Sequence, residues 1–128
     1  MSPRAGRKTG PGDHEAELER IRREYEVELP AKLEAVREAV TAVRDSLRGR
    51  GRALPSEWRE LEFLAHKLAG SAGTYGFDAV SKQARVMSEA VAAGKAAQLG
   101  ALDADTFVRG WFARLEKAAA SAGDGEAR

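Results

Sequence analysis

Apolar residues recur at spacings of three and four along nearly the whole chain, the pattern of helices that each bury one face. The most regular stripe consists of Leu33, Val36, Val40, Val43 and Leu47. Comparable stripes lie within residues 18–29, 58–72, 77–91 and 108–119, and no segment alternates convincingly in the manner of a strand. The periodicity therefore predicts an all-α fold.

Short connectors rich in glycine separate most of the helical segments, so consecutive helices should become antiparallel neighbours. This predicts an antiparallel up-down four-helix bundle. Pro30 interrupts the first stripe, and proline is tolerated in the first turn of a helix. We therefore expect a new helix to start there, so that residues 13–29 form an extra N-terminal helix covering one end or side of the bundle.

The composition, 43% hydrophobic with a formal net charge of +1, suits one folded domain. We place that domain at residues 13–120, between a disordered basic tail (1–12) and a disordered tail (121–128). The chain has no cysteine and only two, distant histidines, which excludes thiolate sites and argues against histidine-rich zinc sites. We expect no cofactor and no bound metal. No apolar stretch approaches the roughly 18 residues of a membrane span, and a cytoplasmic location is expected.

His66 lies in a helical segment together with Gly70 and Gly73, although glycine inside a helix costs about 1 kcal/mol relative to alanine. On a helical wheel, His66 points about 140° away from the apolar stripe and should be exposed. Gly70 lies one turn further along and Gly73 within about 20° of His66, so both should clear the surface beside the imidazole. Close helix–helix packing is the alternative explanation for the two glycines.

An exposed, unhindered histidine suits only some kinds of chemistry. A hydrolase would need an oriented nucleophile or carboxylate and a pocket, and the sequence shows no such motif. Phosphoryl carriage needs less, because a neutral imidazole nitrogen is nucleophilic near neutral pH and the partner can supply the electrostatic stabilisation.

The stretch resembles the histidine-containing phosphotransfer (Hpt) domain, whose motif is His-x-Leu-Lys-Gly-Ser followed by small residues and a further glycine. The matching residues are His66, Leu68, Gly70, Ser71, Ala72, Gly73 and Gly76. The segment from Tyr25 to Leu33 is also similar to the family's opening helices, and the resemblance covers roughly residues 15–118.

The resemblance implies a phosphocarrier with no enzymatic activity of its own. His66 would take a phosphoryl group from the aspartate of a response-regulator receiver domain, or from a histidine kinase, and pass it to a receiver. The magnesium ion would belong to the receiver. We expect a monomer that binds neither nucleic acid nor membrane.

One departure from the family motif is Ala69, which stands where the family commonly has a lysine beside the phosphoryl group. Lys67 and Arg85 are candidate replacements, and both could equally be solvated charges. Phe63 could belong to an apolar docking rim or be a half-buried packing residue. Gly70 and Gly73 complete the expected docking surface.

Two other functions stay open from the sequence. Without the lysine, the chain could be an adaptor that binds receivers or kinases with weak or no phosphotransfer. A nucleic-acid-binding role for the basic tail is disfavoured by the balanced net charge.

Overall fold

The structure, a computed structural model, describes the backbone of residues 11–126 and the side chains of residues 14–121. This part of the chain forms four helices: α1 (Pro11–Arg50), α2 (Pro55–Thr74), α3 (Asp78–Ala92) and α4 (Ala101–Glu126). It contains no strand, so the all-α class predicted from the periodicity is confirmed. None of these helices combines the length and apolarity needed to cross a membrane.

Pro30 lies inside α1, a single helix of 40 residues. The predicted break at Pro30, and with it the separate N-terminal helix, is wrong. Proline costs about 3 kcal/mol in a helix interior. Tyr25 and Leu29 on one side and Val36 on the other are all buried in the same core. Burial of each such side chain contributes roughly 2 kcal/mol, so packing on both sides outweighs the local cost of the proline.

The chain is helical at both limits of the described region. α1 begins at Pro11, two residues before the predicted domain start, and α4 continues to Glu126. Residues 121–126 are therefore helical where a disordered tail was predicted. Residues 1–10, which include most of the predicted basic tail, and residues 127–128 lie outside the described residues.

α1 contacts α2 along its length, and the two helices run in opposite directions. The Ser46 hydroxyl donates to Glu57 Oε2 at 2.8 Å, whereas the Tyr25 hydroxyl lies 2.7 Å from Ser71 Oγ. The C-terminal part of α1 thus lies beside the start of α2, and the earlier part of α1 around Tyr25 lies beside the end of α2. The four helices close a ring, since α2 packs on α3, α3 on α4 and α4 on α1.

The centre of this ring is the hydrophobic core, to which every helix contributes fully buried side chains. They include Val43, Leu61, Met87 and Leu115, one from each helix in chain order. The stripes found in the sequence supply these residues. The face of α2 opposite its stripe is consequently left on the surface.

The turn between α2 and α3 is built on Gly76, whose φ of +85° is favourable only for glycine. The Gly76 N–H donates to the Gly73 carbonyl at 3.2 Å, and the Phe77 N–H donates to the Ala72 carbonyl at 2.8 Å. These two bonds form a Schellman motif, and the Phe77 side chain after it is buried. The motif reverses the chain at once, so α3 lies directly against α2.

Candidate functional site

His66 lies in the middle of α2 and its side chain is exposed, as the helical wheel predicted. Leu61, Ala65, Leu68 and Ala72 form the buried side of the same helix. The imidazole is therefore displayed on a rigid element that is held from below by the core.

A surface groove of about 320 Å³ between α2 and α3 runs beside the imidazole. We call it the His66 groove. Its lining residues are Glu62, His66, Ala69 and Gly70 of α2 and Arg85, Ser88, Glu89 and Ala92 of α3. The structure thus brings three predicted site residues together here, His66, Gly70 and Arg85.

Arg85 is connected to the backbone of α2 through a buried serine. The Ser81 hydroxyl donates to the Ala69 carbonyl at 2.7 Å, and Arg85 Nη2 donates to Ser81 Oγ at 3.3 Å. Ser81 is only 6% exposed, which protects this pair of hydrogen bonds from competition with water. The guanidinium group is thereby held at the wall of the His66 groove.

Gly70 and Gly73 have different surroundings. A Cβ built on Gly70 would meet no neighbouring atom within 4 Å, so the surface beside the imidazole is bare at that position. A Cβ on Gly73 would lie 3.0 Å from Ser81 Oγ. Gly73 therefore allows α3 to pack closely on α2, which is the alternative explanation given for the glycines. Its own position is exposed, and its clearing of the approach to His66 stays a prediction.

Lys67 and Phe63 lie on the other side of His66, away from Arg85. The Lys67 ammonium lies 5.4 Å from the centroid of the Phe63 ring, a cation–π contact. Lys67 also lines a small cleft toward α1 that includes Lys32. Phe63 is 52% exposed, so it presents apolar surface one turn before the histidine.

A comparison with protein-family models finds the Hpt domain over residues 20–121, most of the chain. The chain belongs to the Hpt domain family. No curated protein and no solved structure matches it. Hpt domains act as phosphocarriers in two-component phosphorelays and interact with kinases and receiver domains.

The position of the usual Hpt lysine is buried in this chain. Ala69 is 3% exposed, and its carbonyl accepts the hydrogen bond from Ser81. Alanine brings no charge to the groove. Among the described residues that line the groove, Arg85 supplies a positive charge.

The Hpt motif serine, Ser71, serves packing between helices. Its hydroxyl contacts that of Tyr25, whose ring stacks on Tyr75 at 4.7 Å between centroids and lies 5.4 Å from Phe77. Burial raises the pKa of the Tyr25 hydroxyl, and the Ser71 hydrogen bond opposes that shift. The aromatic cluster thus fixes α1 against the end of α2 that follows the histidine.

Three polar residues of the site were not predicted from the sequence: Glu62, Ser81 and Ser88. Ser88 Oγ donates to Glu62 Oε2 at 3.3 Å, and both serines are buried in the contact between α2 and α3. Two features of the sequence could have indicated these residues. Ser81 and Ser88 lie seven residues apart beside the apolar stripe of α3, and Glu62 lies one turn before His66.

Proposed function

We propose that this Hpt domain carries a phosphoryl group on His66 between the aspartates of receiver domains, or from a histidine kinase to a receiver. The observation that supports it best is the exposure of the motif histidine beside the bare surface at Gly70. A receiver can bring its reacting aspartate to such an imidazole with little steric cost.

The transfer needs one nucleophilic nitrogen on this chain. The lone pair of the neutral imidazole attacks the phosphorus of the aspartyl phosphate, a P–N bond forms and the P–O bond to the aspartate breaks. The electron pair of that bond returns to the receiver's carboxylate. The magnesium ion that stabilises the phosphoryl oxygens would be held by the receiver.

Arg85 is the residue we assign to the charge that the missing lysine would supply. Its guanidinium lines the same groove as His66 and is held there by Ser81. Arginine donates planar, paired hydrogen bonds that match phosphoryl oxygens. The site thus lacks the usual lysine because Ala69 stands in its place, but Arg85 still provides a positive charge beside His66.

The proposed docking surface has two sides. Arg85 lies on the α3 side of His66, whereas Phe63 and Lys67 lie on the α1 side, with Gly70 bare between them. An exposed aromatic ring next to a basic residue offers a partner apolar area together with charge complementarity. The protein is proposed to act as a cytoplasmic monomer with the four helices in up-down order, and without contact to nucleic acid.

The test is incubation with a receiver domain phosphorylated on its aspartate. We expect the wild-type chain to become labelled with an acid-labile, base-stable phosphoryl group, and His66→Gln to abolish the label. His14→Gln is the matched control, because His14 is exposed on α1 and should not affect labelling. An acid-stable label, or one that survives His66→Gln, contradicts the proposal.

The same experiment distinguishes a binding adaptor, which the alanine at position 69 favours. Receivers would then bind the wild-type chain and His66→Gln with equal affinity, and neither would become labelled. Calorimetric titration with the unphosphorylated receiver supplies the affinity, so binding without transfer is measured directly.

A further inference from the structure

Another surface groove, of about 370 Å³, lies at the end of the bundle where α1 ends and α2 begins. We call it the end groove. It is lined by the last turn of α1, the first turns of α2, the last turn of α3 and the two connectors 51–54 and 93–100. It shares no lining residue with the His66 groove, so the two are separate features of the surface.

The end groove exists because α3 is shorter than α2. α3 ends at Ala92, beside Glu62 of α2, since both residues line the His66 groove. The first turns of α2 therefore have no helical part of α3 beside them. The connector passes there instead, turning at Gly94, whose φ of +73° favours glycine, and packing Ala96 against the core.

The floor of the end groove is apolar. Its buried residues are Leu47, Ala53 and Ala96, and the partly buried Trp58 and Val91 pack on the core beside them. The indole N–H of Trp58 has no hydrogen-bond partner among the described residues and is not enclosed by them. The groove therefore offers a partner apolar area together with one unused donor on a large aromatic ring.

The charge at the end groove has one sign. Arg52 and Arg59 line it, both are exposed, and neither makes a hydrogen bond or an ion pair with the described residues. Arg48 and Arg50, in the last turn of α1, instead lie 3.9 and 3.7 Å from carboxylate oxygens of other helices. No aspartate or glutamate is among the residues that line the groove. Its positive charge is thus uncompensated within the described part of the chain.

We propose that the end groove binds an acidic segment of a partner protein, which places an apolar side chain against Trp58 and carboxylates on Arg52 and Arg59. The planar guanidinium group matches a carboxylate with paired hydrogen bonds. Tryptophan and arginine are also the residue types that contribute most often to the binding energy of protein interfaces. A nucleic acid fits less well, because its affinity comes mainly from several cations on phosphates, whereas this floor is apolar.

The position of the end groove gives this binding a use in phosphotransfer. Arg59 precedes His66 by seven residues, about 10 Å along the axis of α2. An acidic segment in the end groove holds the partner near the imidazole without occupying the His66 groove. Such a second attachment raises the effective concentration of the partner at the histidine. This use rests on the proposed function, but the binding itself does not.

The test begins with the selection of random short peptides, displayed on phage, on the full-length wild-type chain. We expect the enriched peptides to combine acidic residues with an aromatic or aliphatic one. An enriched peptide is then synthesised with a fluorescent label, and its affinity is measured by anisotropy. Arg52→Ala and Arg59→Ala should each weaken binding about tenfold, and Trp58→Phe, which keeps an aromatic ring on the core, should weaken it too.

Arg114→Ala is the matched control, because it removes an exposed arginine of α4 that does not line the end groove. It should bind the peptide as the wild type does, and thermal unfolding checks that each variant is folded. No enrichment, enriched peptides without acidic residues, or an equal effect of Arg52→Ala and Arg114→Ala overturns the proposal. Displacement of the peptide by a lower concentration of a single-stranded oligonucleotide overturns it in favour of nucleic acid.

His66→Gln separates this proposal from phosphoryl carriage. This variant should bind the selected peptide with the affinity of the wild type, because His66 does not line the end groove. A chain that receivers fail to label can therefore still bind the peptide, in which case the proposed function fails and the end groove stands. Loss of peptide binding in a folded His66→Gln would instead place the peptide at the histidine and overturn the proposal.

Discussion

The buried hydroxyl of Ser81 on α3 donates to the backbone carbonyl of Ala69 on α2 across an oxygen–oxygen distance of 2.7 Å. The same oxygen accepts from Arg85 Nη2, and a Cβ on Gly73 would lie 3.0 Å from it. A serine hydroxyl offers one donor and two acceptor positions, which suffices for both bonds. Ser81 therefore couples the spacing of the two helices to the position of the cation beside His66.

The two helical glycines near His66 should respond oppositely to alanine. Gly70→Ala meets no neighbour, so we expect it to raise the free energy of unfolding by about 0.5–1 kcal/mol. Gly73→Ala gains the same propensity but must displace Ser81, and overpacking of this kind costs about 1–3 kcal/mol. Denaturant unfolding should place Gly73→Ala about 1–3 kcal/mol below Gly70→Ala.

Ser81→Ala supplies the control for this comparison. Without the Ser81 oxygen, the methyl group at position 73 has room, so Gly73→Ala should become stabilising in the Ser81→Ala background. A double-mutant cycle measures this coupling, and additive effects would show that the two residues do not interact. Gly70→Ala should also slow transfer from a receiver, because its methyl group occupies the bare surface beside the ring.

Arg85 should be needed for transfer from a phosphorylated receiver. A charge-assisted hydrogen bond is worth about 1.5–3 kcal/mol, so we expect Arg85→Ala to slow transfer roughly 10- to 100-fold, as measured by rapid quench. Arg85→Lys should recover part of the rate, since it keeps the charge without the paired donors. Lys82→Ala removes an exposed charge of the same helix outside the groove and should leave the rate unchanged.

A lysine placed at position 69 would test directly whether Arg85 replaces the usual Hpt lysine. Ala69 lines the same groove as Arg85, and the apolar stem of a lysine can extend along such a surface to bring its ammonium group to solvent. We therefore expect Ala69→Lys to restore transfer in the Arg85→Ala background. No recovery in a folded double variant would show that Arg85 acts in another way than the family's lysine.

The sequence predicts a property of this site when that property depends on a single helix. It does not predict a property that depends on how two helices pack together. The exposure of His66 follows from the periodicity of its own helix, and the structure agrees. The role of Gly73 depends on where α3 passes, and the wheel of α2 contains no information on that. The same holds for Ser88, whose partner Glu62 lies 26 residues earlier.

Pro30 shows the opposite limit, a strong local signal overruled by packing. Proline removes one hydrogen bond of the helix and its ring crowds the preceding turn, which makes a helix boundary the usual outcome. Tyr25 and Leu29 nevertheless continue the buried face that Val36 carries further on. The destabilising effect of the proline on a helix can be read from the sequence. The stabilisation from the side chains buried on both sides of it can be judged only from the folded bundle.

Replacement of Pro30 by alanine tests the continuous α1. The alanine N–H can complete the helical hydrogen bond to Glu26, and Pro30 is exposed, so little packing is lost. The intrinsic gain of about 3 kcal/mol is offset by about 1 kcal/mol through the freer unfolded chain. We expect Pro30→Ala to stabilise the protein by about 2 kcal/mol in denaturant unfolding. A destabilised variant would contradict an uninterrupted helix.

The pair of Arg44 on α1 and Asp105 on α4 should make stability depend on pH in acid. Arg44 Nε donates to Asp105 Oδ1 at 2.6 Å, with side-chain exposures of 24% and 17%. This hydrogen bond lowers the pKa of the Asp105 carboxyl below its ordinary 3.8. The folded chain thus binds the proton less tightly than the unfolded chain, so the stabilisation is complete well above pH 3.8 and is lost as the pH falls below it.

Asp105→Asn should therefore lower the free energy of unfolding by about 1 kcal/mol at neutral pH, because the asparagine oxygen can still accept from Arg44 and only the contribution of the charge is lost. As the pH falls from about 5 toward 2, the difference between wild type and Asp105→Asn should shrink, because protonation removes the charge of Asp105 in the wild type too. Urea unfolding at several pH values measures this difference. Asp45→Asn, which removes an exposed carboxylate next to Arg44 in the sequence, is the control and should keep the acid sensitivity of the wild type. If the difference in free energy of unfolding between wild type and Asp105→Asn stayed constant down to pH 2, the charge of Asp105 would not contribute to stability.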